Sequence, residues 1–340
     1  MIQVKLLKIK NMKEYEEYLK IAGNVHLAYY IEAAEELCIH YEVLIKSLLS
    51  RFEYKGKHWF IINTATPLTN TTATTISKRK SLTNFILDKA NIPVPKQVVL
   101  NSAVDAIKFF NRYENIVIKP SQQLGGKGIT LLPENEDQVI QAYNEALEKT
   151  HAKGNDKVLG EQFLSGENYR FLVVGNNVVG MVRRKSAHVI GDGKSTISEL
   201  IDIKNIERKN NLLMPITIDN EVELRLKNSN KTLDSVPELN EEVVLRYNCN
   251  LTTGGTTEEC SCEVHQYYKD LAVKAVKAVD SEFGGVDIIA ENISQPSKCG
   301  VNEINYNPGL RIHYKVDKGD VVKVAVPIME YIRDKYINSK

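Results

Sequence analysis

Two carboxylates and an amide in the last sixth of this 340-residue chain have the types and spacing to hold a hard metal ion: Asp287 in GVDIIAE, and Glu303 with Asn305 in VNEINYNPG. Residues two apart on a strand face the same way, so Glu303 and Asn305 project together. If the two short strands pair about Gln295, Asp287 falls opposite Glu303 on that face. Mg²⁺ takes one or two protein carboxylates together with substrate phosphates, which suits such an oxygen set. An exposed polar hairpin would carry the same residues, so the rest of the chain has to decide.

Upstream, NIVIKPSQQLGGKGITLL sets Lys119 at the end of an apolar strand and follows it with Gly125, Gly126, Lys127 and Gly128 before a second strand. Glycines let backbone N–H groups close on phosphate oxygens without obstruction, and the lysines add positive charge. The pattern is that of a phosphate lid between strands. It is neither a Walker loop nor a dinucleotide fingerprint, since no GKS or GKT leads into a helix and no G-x-G-x-x-G follows the strand. A plain glycine turn would look alike. In KVLGEQFLSGENYRFLVV, Glu161, Gln162, Phe163 and Leu164 end a strand ahead of Gly166. Such a run can offer backbone groups to an adenine edge while apolar side chains pack on the ring.

The elements that must position these groups show in the hydrophobic periodicity. Residues 13–50 carry Tyr18, Ile21, Val25, Ala28, Ile31, Ala34 and Leu37 at helical spacing, which predicts a mainly helical first region ending in strand-like HWFIIN. The Thr-rich stretch 64–77 reads as a crossing loop and puts a boundary near residue 75. Beyond it, short strands alternate with helices, an α+β pattern. YYKDLAVKAVKAVDSEFG places Leu271, Ala275, Val279 and Phe283 on one helical face.

Composition narrows the function classes. With 44 basic against 43 acidic residues the chain has no bulk surplus to neutralise nucleic-acid phosphates. The N-terminus lacks an apolar core and cleavage site, no stretch approaches the roughly 20 apolar residues of a membrane span, and five scattered cysteines suit a reducing compartment. A cytoplasmic protein without nucleic-acid or membrane partners is expected.

The order of the motifs, with Lys80 ahead of a helix that ends at IPVP, then Lys119 before the glycine hairpin, Glu161 in the E-x-x-L hinge and the terminal D…E-x-N set, resembles the ATP-grasp superfamily. RRKSAHVIGDGKSTISELI, TLDSVPELNEEVVLRYNCNLTTGGTTEE, GVDIIAENI and VNEINYNPGLRIHY resemble the ATP-grasp part of cyanophycin synthetases and of bifunctional glutamate-cysteine ligase/glutathione synthetases, from about residue 75 onward.

The resemblance implies an ATP-grasp fold: a pre-ATP-grasp region over 1–75, then a domain over 76–340 with a lid subdomain at about 96–163 and a catalytic subdomain at about 164–340. It implies ATP as cosubstrate, held by Lys80 and Lys119 under the loop Gln123 to Gly128, with Glu161 to Leu164 as adenine hinge. The ribose acid falls at Asn168, beside Glu167. Two Mg²⁺ ions, replaceable by Mn²⁺, would sit on Asp287, Glu303 and Asn305. Arg246 would lie near the γ-phosphate, with Arg184 and Arg170 as further ligands of the polyanion. The expected activity is an ATP-dependent C–N ligase joining a small carboxylate and an amine, such as amino acids or peptides, through an acyl phosphate. Backbone N–H groups of Thr252, Thr253, Gly254 and Gly255 and the Arg246 side chain are the expected oxyanion donors. Arg311 and His313 are the expected grip on a substrate carboxylate. A homo-oligomer is compatible with all of this.

Two departures stand out: Arg79 occupies a place where many relatives carry an acid, and neither the Mur-ligase-like nor the glutamate-cysteine ligase module of the large enzymes fits in this chain. Two alternatives are a small-molecule kinase, whose ADP release would not depend on an amine, and a non-catalytic nucleotide module. EECSCEVH, with Cys260, Cys262 and His265, lacks the paired spacing of a zinc site. GDGKST at 191–196 reads as a turn and helix cap.

Overall fold

The computed structural model describes residues 15–113, 115–122, 128–154, 157–211 and 213–338. Gln123, Gly125, Gly126 and Lys127 of the expected phosphate loop lie outside them. Helix α1 covers 15–22. In α2 (Val25–Glu36) the Asn24 side chain accepts from the N–H groups of His26 and Leu27, which satisfies the open first turn. The helical expectation for 13–50 holds only to Glu36. An antiparallel meander follows, β1 (His40–Ile45), β2 (Leu49–Tyr54) and β3 (Lys57–Ile62), whose alternation turns Phe52, Trp59 and Ile61 inward. The Thr-rich stretch is also not loop throughout. Asn70 caps α3 (Thr71–Lys78), and after a break at Arg79 the chain enters α4 (Lys80–Lys89).

Next comes a self-contained α+β unit: β4 (Gln97–Leu100), α5 (Ala103–Tyr113), β5 (Ile116–Pro120), β6 (Thr130–Leu131), α6 (Glu136–Lys149) and β7 (Val158–Gln162). Its sheet runs β4-β7-β5-β6, over a separate core that includes Leu100, Phe109, Ile116, Ile118, Val139 and Val158.

The central sheet comprises β8 (Glu167–Val174), β9 (Asn177–Lys185), β12 (Thr256–Glu259), β13 (Phe283–Ala290) and β14 (Cys299–Asn305), in the order β12-β9-β8-β13-β14. Between β9 and β12 the chain builds an outlying unit of β10 (His188–Ile190), α7 (Ile197–Asn210), α8 (Asn220–Asn228) and β11 (Glu242–Val244), with its own apolar centre. GDGKST is the turn into α7, where Thr196 and Glu199 form a reciprocal capping box. Helix α9 (Gln266–Ala278) buries Leu271 and Ala275 against the sheet, and Val279 is its C-cap. Phe283 corrects the sequence reading: the chain turns at Asp280, φ +57°, and Phe283 opens β13. The short α10 (Arg311–Tyr314) and α11 (Ala325–Asn338) complete the chain.

Strand alternation gives this sheet two unlike faces. Tyr169, Phe171 and Val173 of β8, with Val286, Ile288 and Ile304, join α9 in one apolar core. On the opposite face Leu172, Val174 and Phe283 bury themselves under α2 and α11 in another. Full burial of such a side chain stabilises by about 2 kcal/mol, so the N-terminal region is bound into the same fold. The remainder of that second face is charged.

Candidate active site

Asp287 pairs directly with Glu303 across β13 and β14, and with Arg170 across β13 and β8. The pairing about Gln295 expected from sequence is therefore present at this point, with an irregularity just after Asp287. Asn168 lies opposite Arg184, and Arg184 opposite Thr257, so one face carries Thr257, Arg184, Asn168, Arg170, Asp287, Glu303 and Asn305.

Asp287 is 2% exposed. Arg170 grips it as a fork, Nε donating to Oδ1 and Nη2 to Oδ2 at 3.0 Å, while Arg184 Nη2 reaches Oδ2 at 2.7 Å. Burial alone would raise the Asp287 pKa; the two guanidiniums outweigh it and hold the carboxyl below its ordinary value. Arg184 also donates twice to Asn168 Oδ1, at 3.0 and 2.7 Å. Glu167, the alternative ribose contact, bonds Tyr169 and Arg183 on the other face. Asn168 alone of the two belongs to the charged face.

Across the cleft, Lys119 Nζ sits 2.5 Å from Glu161 Oε2, both side chains buried, and Gln97 donates to the other carboxylate oxygen. Lys80 is the first residue of α4, with Ser77, Thr83 and Asn84 beside it in a small cleft that Glu303 also lines. Burial pushes the Lys80 ammonium below its ordinary value; Glu303 opposes that and Lys119 adds to it. Both lysines, the hinge acid and Glu303 are thus one electrostatic group. Downstream in the hinge, the N–H groups of Gln162 and Phe163 bond Lys96 O at 2.8 Å and Asn115 O at 2.9 Å. Leu164 packs towards Gly300, where a Cβ would meet its Cδ1 at 2.7 Å. Gly128, φ +70°, takes up the left-handed turn at the far end of the loop.

A carboxylate oxygen offers more than one lone pair, so Asp287 can keep its arginines and still bind a cation. Glu303 and Asn305 supply further hard oxygens on the same face, and among the described residues the Asn305 side chain bonds through its Nδ2, to Gly285 O at 3.4 Å. The donor set fits Mg²⁺ completed by phosphate oxygens. Among the described residues no three His, Cys, Asp or Glu side chains cluster as a metal cage.

Three of the expected groups are engaged or buried in this structure. The loop N–H groups of Thr253 and Gly255 bond Asn250 O at 3.1 and 2.9 Å, and that of Gly254 faces Leu251 O at 3.4 Å. They are engaged within the loop, as is the Thr253 hydroxyl with Asn248 and Asn250. Arg246 reaches Glu221 at 2.6 Å, Asp219 at 2.7 Å and Thr217 O at 2.8 Å, so its Nη groups anchor the first turn of α8. His313 is 1% exposed, wedged beside Gly180, and burial first, then the Arg170 charge, lowers its pKa to about 3. A neutral imidazole brings no positive charge to a substrate carboxylate and has one N–H at most to donate.

Arg311 is placed differently. Its field reaches Tyr15, His26, Tyr29 and Lys315, at the seam between α10 and the N-terminal helices. Tyr29 stacks on Tyr314 with ring centres 3.7 Å apart, Lys315 lies over Tyr15, and Leu310 N–H donates to His26 Nδ1 at 3.3 Å. No motif pointed to Tyr15, His26 or Lys315, because the fold alone brings them to Arg311.

Comparison with known proteins agrees with this geometry. Residues 78–200 match the phosphoribosylglycinamide synthetase, ATP-grasp (A) domain family. The glutathione biosynthesis bifunctional protein GshAB of Clostridium perfringens is 35% identical over 267 residues, covering 76% of this chain and 34% of that one. A crystal structure of a bifunctional glutathione synthetase from Pasteurella multocida superposes with a TM-score of 0.66 at 27% identity, over 91% of this chain and 44% of that one. D-alanine–D-alanine ligase from Bacillus anthracis shares the fold, with a TM-score of 0.50 at 13% identity, over 79% of this chain and 70% of that one. The chain has the ATP-grasp fold. Within it, the similarity is to the glutathione biosynthesis bifunctional proteins, of which it spans between about a third and somewhat under half. No described helix is long and apolar enough to cross a membrane.

Proposed function

We propose that this protein is an ATP-dependent carboxylate–amine ligase that forms an amide through an acyl phosphate, releasing ADP and phosphate. The observation that carries the reading is Asp287 opposite Glu303 on a charged sheet face, with Lys80 electrostatically joined to Glu303 and to the buried Lys119–Glu161 pair. Opposed carboxylates beside converging lysines suit a metal-bound triphosphate better than any neutral ligand.

In this reading Asp287, Glu303 and Asn305 hold Mg²⁺, and two ions, or Mn²⁺ in their place, would offset charge between the phosphates. Lys80 and Lys119 grip the α- and β-phosphates, and the glycine loop closes over them. Glu161 to Leu164 face adenine and Asn168 the ribose. Arg170 and Arg184 hold Asp287 ionised and in position, so little reorganisation is needed as charge moves to the bridging oxygen of ADP. A substrate carboxylate oxygen attacks the γ-phosphorus, the bond to ADP breaks, and an amine then displaces phosphate from the acyl carbon. Thr252 N–H is the loop donor left to face that oxyanion, with Arg184 nearby. Closure excludes water, which would otherwise hydrolyse the acyl phosphate.

Arg311 and Lys315 are the grip for the carboxylate substrate's far end, with Tyr15 and His26 as its walls. An amino acid or short peptide fits such a station, because a second carboxylate offsets two neighbouring cations. The names of the relatives speak of glutathione, so the dipeptide and amino acid that make up that tripeptide are the first pair to try. The test is ADP release over a panel of amino acids, dipeptides and amines, with mass detection of the product. ADP that forms equally well without an amine, with a phosphorylated product, would instead identify a kinase.

A further inference from the structure

Arg208, on α7, is 2% exposed, yet among the described residues its hydrogen-bond partners are all backbone carbonyls. Nε donates to Met214 O at 2.7 Å, Nη1 to Gly254 O and Gly255 O at 3.2 Å each, and Nη2 to Leu251 O at 2.6 Å. A buried guanidinium carries a large desolvation cost, and a carboxylate is its usual compensation. Here burial pushes the Arg208 pKa down and only the more distant field of Asp317 opposes it. What the side chain accomplishes for that cost is to gather three carbonyls of one loop, those of Leu251, Gly254 and Gly255, around a rigid planar fork that lysine cannot imitate.

The consequence for the loop follows from peptide geometry. The described chain has no cis peptide bonds, and in a trans peptide the C=O and N–H point in opposite directions. With Leu251 O turned to Arg208, Thr252 N–H points away from α7. Gly255 O obeys the same rule, and the following residue, Thr256, duly pairs with Lys185 on β9, the strand that carries Arg184. Gly254 O is gathered in the same way, but the N–H that follows it, of Gly255, bonds Asn250 O inside the loop, which leaves Thr252 N–H as the one that turns outward without a partner among the described residues; the loop's start, Cys249, lies within the fields of Arg184 and Asp287 on the charged face. At the loop's start Cys249 Sγ lies 3.4 Å from Ser186 Oγ, two residues along from Arg184, which binds Asp287. The loop has little freedom to compensate: at Gly254, φ +107°, a Cβ would stand 2.6 Å from Ile216 and 2.9 Å from Ala187.

We infer that Arg208 is a positioning residue for amide formation, fixing the 250–255 loop so that Thr252 N–H faces the reacting acyl group while ATP binding proceeds independently of it. This rests on the ligase reading, and the experiment separates the two. The full chain, Arg208→Lys and, as an independent disturbance of the same loop, Gly254→Ala are given ATP, Mg²⁺, γ-glutamylcysteine as acid and hydroxylamine as amine; ADP and hydroxamate are both counted. Hydrogen exchange over 248–256 is read separately without substrates.

The expected result is an ATP KM within about twofold of the parent, with hydroxamate per ADP reduced at least about tenfold in both variants, the scale of losing one oxyanion donor. Exchange over 248–256 should quicken in Arg208→Lys while β8 and β13 stay protected. Parallel loss of ADP and hydroxamate, or unchanged exchange in the loop, overturns the assignment. A parent protein that turns over no acid in this assay or across the wider panel sinks the ligase reading, and the transfer role with it, whereas the exchange result still reports on the loop alone.

Discussion

Replacing Asp287 by Asn should damage stability as well as activity, and the two losses can be told apart. Of three hydrogen bonds to this carboxylate, two fall on Oδ2, from Arg170 at 3.0 Å and Arg184 at 2.7 Å. In the amide one oxygen becomes an NH₂ that faces guanidinium donors. Bonds to a charged group contribute about 1.5–3 kcal/mol each, and breaking one partner from a buried pair costs about 3–5 kcal/mol. Arg184 keeps both bonds to Asn168, so the lower end applies, about 3 kcal/mol. That is a fall of roughly 4 °C in Tm for a chain of this size. Glu303→Gln is the control: Glu303 is half-buried on the adjacent strand, and the amide should cost under about 1 kcal/mol while abolishing turnover as fully as Asp287→Asn. Urea titration and ADP release on both variants decide the matter. An Asp287→Asn protein as stable as the parent would refute the argument that this carboxylate neutralises two arginines.

Lys119→Met strands the buried Glu161 carboxylate and removes a phosphate ligand, so nucleotide affinity measured by calorimetry should drop by at least about tenfold and stability by about 3 kcal/mol. His313, with a folded pKa of about 3 against an ordinary 6.5, stays neutral in the fold while the unfolded chain protonates. Its contribution is therefore full above about pH 6.5 and is lost as pH falls towards 3, about 3 kcal/mol by pH 4; denaturation curves of His313→Leu should show a correspondingly flatter acid limb. Asn70→Ala removes the cap of α3 and should cost about 1 kcal/mol without changing the ATP KM, read by thermal melting and steady-state kinetics. Arg311→Ala should raise the KM of the carboxylate substrate far more than that of ATP; equal effects on both would remove Arg311 from the substrate grip.

Much of the site was legible in the sequence because its chemistry sits at regular strand spacing. Asp287, Glu303 and Asn305 follow the two-residue alternation, and a pairing centre alone brings the first two together. Lys119 and Glu161 also lie on paired strands, β5 and β7. The failures have a common cause in tertiary packing. His40–Tyr54 has apolar residues that satisfy helical or alternating spacing about equally, and only burial of Phe52 beside α2 and, on the paired β3, of Trp59 against Tyr336 of α11 selects the strands. The Thr-rich 71–78 is a poor helix former by propensity, yet it is capped by Asn70 and packs on β14. Arg208 was invisible because three of its four partners are carbonyls more than 40 residues away, which no side-chain motif records. Arg246 carried a motif's expectation, whereas Asp219 and Glu221, the acids that hold it, belong to a stretch without one.

The central claim, that a carboxylate is activated by phosphoryl transfer before an amine displaces it, has a direct test in oxygen labelling. The acid substrate, ¹⁸O-labelled in its carboxylate, is converted to amide with ATP and Mg²⁺, and the released phosphate is examined by mass spectrometry. One ¹⁸O atom carried from the acid into inorganic phosphate for each amide formed is the predicted result. Amide formed with unlabelled phosphate, or with the label in AMP, would contradict the acyl phosphate and the reading built on it.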